Sequence, residues 1–305
     1  VTIRLLDPPI HEFLPSEQQL QSDLEKLMHL RNSVRGMSVL ASSMMLLHEP
    51  ETARQEAQSL RQLVDEEMVE RAIEKKQTML KKVRTLIETN PMLGHRGVRL
   101  GITYPEIYGM QIRAILEAAA ECAAKDVEIH PQIMVPQVCT AQELRWVRAM
   151  VDKIHAEVEQ QSGCKINFRF GTMIEVVRAC MLAGSLADAA EFFSFGTNDL
   201  TQATFSFSRE DAENKFLPLY NQHGILQDNP FEVLDNKGVG KLMELAVQWG
   251  REVKPDLSVG ICGEHGGHPA SIAFCHKAGL NYVSCSAPRV PVARLAVAQA
   301  ALQEK

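Results

Sequence analysis

From Gln132 onward, short β-favouring runs alternate with stretches of helical periodicity, and no other feature restricts the fold of this chain so tightly. Strands separated by helices of this length pair in parallel, and a parallel sheet lines up all its strand C-termini along one edge. The runs are Gln132 to Pro136, Lys165 to Glu175, Glu191 to Phe195, Ser258 to Cys262 and Asn281 to Ser286; Val1 to Leu6 makes a sixth. Between the first two, Thr140 and Glu143 form a capping box ahead of a helix carrying Leu144, Val147, Val151, Ile154 and Val158. Further helices are expected over Val176 to Ala183, around Leu242, Leu245, Ala246 and Trp249, and from Pro269 to Gly279.

Three of these strands end in chemistry. Glu191 to Gln202 reads EFFSFGTNDLTQ, a buried strand that stops at Gly196 and delivers Thr197, Asn198 and Asp199 in a turn. An isolated Asn-Asp pair usually marks nothing more than a turn. Here it has company, because Glu175 closes another strand and Cys262 a third, and in a parallel barrel such ends converge on one face. Two carboxylates with no histidine suit a hard cation such as Mg²⁺, which takes one or two carboxylates and keeps its other positions for water and substrate oxygens. For Glu175 taken alone, a salt bridge to Arg178 would be an adequate explanation. Cys262 lies between a strand and the glycine-rich turn GEHGG, where Glu264 or His265 could orient its thiol for proton exchange.

The remaining stretches carry weaker signals. Strand alternation puts Thr2, Arg4 and Leu6 on one face, so Arg4 matters if that face looks into a barrel mouth. Ser16 and Gln19 form a capping-box pattern before the stripe Leu20, Leu24, Leu27 and Met28. From about Asn32 to Glu88 helix formers dominate, with Leu60, Leu63, Val64 and Met68, then Leu80, Val83 and Ile87, at helical spacing. This stretch is expected to be a helical excursion on the outside of the main fold, or else a partner-binding hairpin. Asn90 to Gly101, NPMLGHRGVRLG, reads as a loop in which glycines let backbone approach a ligand while Arg96 or Arg99 offers a fork of donors. Pro105 opens a helix with Ile107, Met110 and Ala114 expected on its buried side.

Composition bounds the function. At 305 residues, 45% hydrophobic and 23% charged, the chain is of ordinary globular type, and its net charge of −6 argues against a nucleic-acid surface. No apolar stretch approaches the roughly 18 residues of a membrane span. Seven scattered cysteines without a C-x-x-C pair point to a reducing compartment, and the expected location is cytoplasmic, with plastid or parasite organelle as alternatives.

In order, the strings VTIRLLDPPIHEFLP, NPMLGHRGVRLGITYPEIY, GTMIE, EFFSFGTNDLTQ, GICGEHGG and NYVSCSAPRVPVARLA resemble the phosphoenolpyruvate-binding barrel of the PEP-utilising enzymes. They are most similar to that of pyruvate phosphate dikinase, and EHGG favours it over phosphoenolpyruvate synthase and enzyme I of the sugar phosphotransferase system. The resemblance implies a (β/α)8 TIM-type barrel over residues 1–305, lacking its first two strands and carrying a helical insertion over about 31–89. It also implies that Arg4 and Arg96 hold the phosphoryl group and stabilise enolate charge, and that Glu175 and Asp199 bind Mg²⁺. Gly196, Thr197 and Asn198 would cradle the substrate carboxylate, and Cys262 would exchange a proton with the substrate methylene carbon.

The implied reaction is Mg²⁺-dependent phosphoryl transfer between a phosphohistidine, on a domain absent from this chain, and pyruvate, giving phosphoenolpyruvate, or the reverse. A homodimer is implied by the same analogy, and the chain alone is expected not to complete the overall reaction. Phosphoenolpyruvate synthase and a non-catalytic barrel remnant acting as a binding or dimerisation module are the alternatives. Val98, Val177 and His268 depart from the family pattern, which has cysteine, proline and aspartate there; none of them removes a named catalytic group.

Overall fold

The computed structural model describes residues 1–44, 66–88 and 90–303. Its elements in chain order are β1 (Thr2–Arg4), α1 (Glu17–Met44), α2 (Glu66–Leu86), α3 (Val98–Thr103), α4 (Pro105–Ala123), β2 (Gln132–Val135) and α5 (Ala141–Ser162). Then follow β3 (Arg169–Ile174), α6 (Val177–Met181), α7 (Ala183–Ala187), β4 (Phe192–Gly196), α8 (Thr197–Phe205), α9 (Arg209–Lys215) and α10 (Leu217–Gln222). The chain closes with α11 (Val239–Val253), β5 (Ser258–Cys262), α12 (Pro269–Lys277), β6 (Tyr282–Val283) and α13 (Val290–Gln303). Two compact units result, one of residues 1–8 and 95–305 and the other of residues 9–94.

The larger unit holds a curled sheet of six parallel strands in the order β1-β2-β3-β4-β5-β6. Strand pairing fixes the faces, since paired residues point the same way. Arg4 lies beside Met134, which lies beside Gly171. Met173 lies beside Ser194, Ser194 beside Gly260, and Gly260 beside Tyr282. Gly196 pairs with Cys262 at the C-terminal edge. These residues share one face, on which Met134, Met173 and Phe192 form a small apolar cluster with Cys262 packed against it. The alternate residues Ile133, Val135, Phe170, Ile174, Phe193, Phe195, Val259 and Ile261 join the main core with the helices.

Helix α5 shows why local sequence decides so much here. The Thr140 hydroxyl accepts from the Glu143 N–H, the Glu143 carboxylate accepts from the Thr140 N–H, and Gly163 ends the helix in a left-handed conformation. Its expected stripe, Leu144 to Val158, is buried throughout. Each of these side chains contributes about 1.5–3 kcal/mol relative to exposure.

Helix α4 differs from expectation. Tyr108, Ile112, Ile115 and Leu116 are buried, whereas Met110 and Ala114 are exposed and Ile107 is half-buried. The buried face is therefore rotated from the one expected, because the Tyr108 hydroxyl donates to the Leu6 carbonyl and its ring fills the space against Gly101. Residues 98–103 are helical rather than loop, with Gly97 at φ 56° starting that helix. Expected strand 281–286 shortens to Tyr282–Val283.

In the smaller unit Leu24, Val69 and Ile73 make the core, with Leu27, Met28 and Leu80 against it. Met68 and Ile87 are exposed, so the inward stripe of α2 runs through Val69, Ile73 and Val83 instead. Leu60, Leu63 and Val64 lie outside the described residues. Among the described residues, no helix is long and apolar enough to cross a membrane.

Gly171 lies where β3 meets β4, and a Cβ there would meet the Phe192 carbonyl oxygen and ring at 2.5 Å. Because backbone cannot yield as a side-chain tip does, Gly171→Ala should cost about 1–3 kcal/mol of unfolding free energy. Urea denaturation would show this as a lower midpoint with an unchanged slope.

Candidate active site

The C-terminal edge of the sheet gathers charge. Arg96 is 6% exposed, donating from Nη1 to Asp199 Oδ1 at 3.1 Å and from Nη2 to Asp7 Oδ2 at 2.5 Å. Arg4 reaches the same Asp7 oxygen at 3.2 Å with its side chain 43% exposed, so it is the more available of the two cations. Asp7, 4% exposed, thus links both arginines, while its Oδ1 is buried without a hydrogen-bond partner among the described residues.

Glu175 follows β3 and is 2% exposed. Its Oε1 accepts from the Gln137 N–H at 2.7 Å, and its Oε2 sits so close to Gly196 that a Cβ there would approach it to 2.5 Å. Gln137 adopts the left-handed region at φ 59°, a costly conformation for this residue type that turns its amide towards the carboxylate. Arg178 instead donates to the Cys139 carbonyl, so the salt bridge that would have accounted for Glu175 does not form.

Thr197, Asn198 and Asp199 are not a loop turn but the first turn of α8, directly after Gly196. Asp199 thereby comes within hydrogen-bonding reach of Glu175. Burial raises the pKa of both carboxylates; at Glu175 the negative charges of Asp199 and Asp7 add to it, and at Asp199 Arg96 opposes it. Burial would lower the pKa of Arg96, but Asp199, Asp7 and Glu175 more than reverse this.

Cys262 ends β5 opposite Gly196, and its thiol donates to the Phe195 carbonyl at 3.4 Å. Burial raises its pKa, and the nearby Ser194 hydroxyl, which acts on Tyr282 in the same way, partly offsets the rise. Neither residue of the glycine-rich turn orients this thiol. Glu264 pairs with Arg209 at 2.8 Å, and His265 bonds Thr197 and the Pro230 carbonyl. Arg209 further contacts Glu213 at 3.2 Å and Asn198 Oδ1 at 3.4 Å.

The structure therefore brings Arg4, Arg96, Glu175, Gly196, Thr197, Asn198, Asp199 and Cys262 to one edge. Sequence reasoning missed Asp7, Gln137, Ser194 and Tyr282. Asp7 was legible only as a turn residue before two prolines, and Ser194 only as the polar member of an otherwise apolar strand. Among the described residues, no group of three or more histidine, cysteine, aspartate or glutamate side chains is arranged to hold a metal.

The family profile described as PEP-utilising enzyme, PEP-binding domain, matches residues 1–302. The chain belongs to that family. This PEP-binding domain is 49% identical over 304 residues to pyruvate, phosphate dikinase of Entamoeba histolytica, covering 99% of this chain and 30% of that protein. It is 46% identical over 306 residues to the dikinase of Clostridium symbiosum, covering 100% and 30%, and 47% identical over 299 residues to chloroplastic dikinase 1 of Arabidopsis thaliana, covering 98% and 27%. The PEP-binding domain thus spans under a third of the length of these relatives. Among solved structures it is similar to a citrate lyase from Burkholderia xenovorans, at 15% identity and TM-score 0.42 over 62% of this chain and 53% of that one.

The raised carboxylate pKa values have a consequence for stability. The folded state binds protons that the unfolded state has already released, so stability is greatest below the ordinary carboxylate range and falls as pH rises through the raised values. In chelator-treated buffer the protein should lose stability from about pH 5 to pH 8, by up to roughly 1.4 kcal/mol per unit for each proton. Glu175→Gln, which keeps an acceptor for Gln137, should flatten that slope; urea midpoints across the range test it.

Proposed function

We propose that this domain is the phosphoenolpyruvate/pyruvate half-site of a pyruvate, phosphate dikinase. It would exchange a phosphoryl group between pyruvate and a phosphohistidine on another domain of the enzyme. The reading rests above all on the meeting of the buried carboxylate of Glu175 and the part-buried carboxylate of Asp199 with a protonated thiol, Cys262, on neighbouring strand ends. The dikinase names of its relatives support that reading over phosphoenolpyruvate synthase.

Glu175 and Asp199 fit Mg²⁺ on structural grounds. The two carboxylates are close enough that the charge of Asp199 raises the pKa of Glu175, and an Asp7 oxygen without a partner among the described residues is nearby, so a cation can take the place of protons here. Bound there, Mg²⁺ would supply positive charge to the carbonyl or enolate oxygen of the substrate. Arg4 and Arg96 stabilise the phosphoryl oxygens and the enolate charge; Arg96 is held in place by its two carboxylates while Arg4 faces outward. Gly196, Thr197 and Asn198, at the start of α8, hold the substrate carboxylate.

Cys262 handles the proton. Burial keeps its thiol protonated, which suits delivery of a proton to the enolate methylene carbon as pyruvate forms. In the opposite direction the thiolate takes the methyl proton, and the enolate oxygen attacks phosphorus as the phosphohistidine nitrogen leaves. The curled six-stranded sheet fits part of a (β/α)8 barrel, with β1 and β6 as the strands that two further units would join. A homodimer and a cytoplasmic location complete the reading by family analogy.

Wash-out of tritium from the methyl group of pyruvate in the presence of Mg²⁺ tests the assignment on the complete polypeptide. Cys262→Ala should slow it at least about 100-fold, the scale of general acid–base catalysis. Exchange at the wild-type rate would remove Cys262 from the mechanism. Chelation of Mg²⁺ and, separately, Asp199→Asn should both abolish exchange.

A further inference from the structure

His265 is a buried titratable group at the functional edge that the proposed chemistry leaves unused. It is 2% exposed, in the short turn after β5, and its ring has two partners on different segments. Nε2 lies 3.0 Å from the Pro230 carbonyl, and Nδ1 lies 2.6 Å from the Thr197 hydroxyl. A carbonyl only accepts, so Nε2 must carry the hydrogen. In the neutral ring Nδ1 is then an acceptor, and the Thr197 hydroxyl must donate to it. Burial pushes the imidazole below its ordinary pKa, consistent with a neutral ring.

The consequence falls on the carboxylate cradle. Thr197 is 1% exposed and its one hydroxyl hydrogen is spent on His265, so its side chain has no hydrogen to give a substrate oxygen. Its contribution to ligand binding is therefore through backbone, whose position the His265 bond sets. The histidine is itself held firmly. A Cβ at Gly266 would meet the Ser284 carbonyl at 2.3 Å, so the turn is pressed against the segment after β6. Pro230 precedes Phe231, which packs with Ala212 and Leu217 in a separate apolar cluster.

We propose that His265 is a positioning residue. As a fixed Nε2–H tautomer it ties the first turn of α8 to the β5 turn and to the Pro230 segment, and so sets the pose in which Gly196 to Asn198 receive the carboxylate of a 2-oxo acid. This rests on the functional reading above. It assigns His265 no proton transfer, and it accounts for a histidine at a strand end that makes no contact with the thiol.

The test combines kinetics with a spectroscopic signature, on the complete polypeptide. His265→Leu and Thr197→Val should each raise the pyruvate KM in the Mg²⁺-dependent exchange assay roughly tenfold, the scale of one lost hydrogen bond at a buried donor or acceptor, with kcat changed less than about threefold. The double variant should be no worse than His265→Leu alone, because that substitution already removes the bond that Thr197→Val removes, along with the one to Pro230. His265→Asn, which places an oxygen acceptor near the Nδ1 position, should recover most of the affinity. Long-range ¹H–¹⁵N spectra of the wild type should show Nε2 protonated and Nδ1 bare at neutral pH. Additive losses in the double variant, a loss confined to kcat, or a ring protonated at Nδ1 would overturn the proposal. Failure of the wild type to exchange at all would sink the functional reading itself, whereas wild-type exchange with KM unaltered in both single variants would sink only the role of His265.

Discussion

A guanidinium buried between two carboxylates is the interaction on which this domain's functional edge depends. Arg96 reaches Asp7, just past β1, and Asp199, in the first turn of α8, and in doing so joins the beginning of the chain to the residues after β4. A charge so enclosed is tolerable only when paired, and removing one partner of such a pair typically costs about 3–5 kcal/mol because the survivor is left buried. The neighbouring Glu175 makes no ion pair among the described residues and accepts from the Gln137 N–H instead. The edge therefore holds Asp7, Glu175 and Asp199 against Arg4 and Arg96; burial raises the pKa of Glu175 and of Asp199, and the negative charge of Asp7 adds to it at both.

That electrostatic arrangement needs a rigid frame. The register of the sheet supplies it, since pairing Gly196 with Cys262 puts a residue without a side chain beside the thiol and leaves room for the Glu175 carboxylate against Gly196. A side chain at Gly196 would occupy the place of that carboxylate. Met134, Met173 and Phe192 pack together on the same face of the sheet, with Cys262 against them. The proton chemistry proposed for Cys262, the charge stabilisation proposed for Arg4 and Arg96 and the positioning proposed for His265 are separate duties brought within reach by the fold.

Much of this was legible in the sequence because it follows from local rules. Alternating strand and helix patterns identified six strands and their parallel pairing, and the Thr140–Glu143 box marked the start of α5 to the residue. The strand-end positions of Glu175, Asp199 and Cys262 singled them out for the same reason. Reading failed where long-range packing overrules periodicity. Helix α4 turns its Tyr108 face inward because the Leu6 carbonyl and Gly101 await that ring, and neither is a neighbour in sequence that a helical stripe would reveal. Residues 98–103 looked like loop because glycines flank them, yet Gly97 there serves to start a helix.

The sequence by itself determined the order of strands, the edge on which their ends meet and the chemical types delivered there, since side-chain period and turn chemistry are properties of short segments. Only the tertiary structure decided how those groups are wired. Asp7 paired with Arg96, Gln137 bent to present its amide to Glu175, and the hydrogen of Thr197 committed to His265 all join residues between 38 and 89 positions apart. Such partnerships depend on which buried donors and acceptors lack water and must find each other, and that becomes known only when the chain has folded.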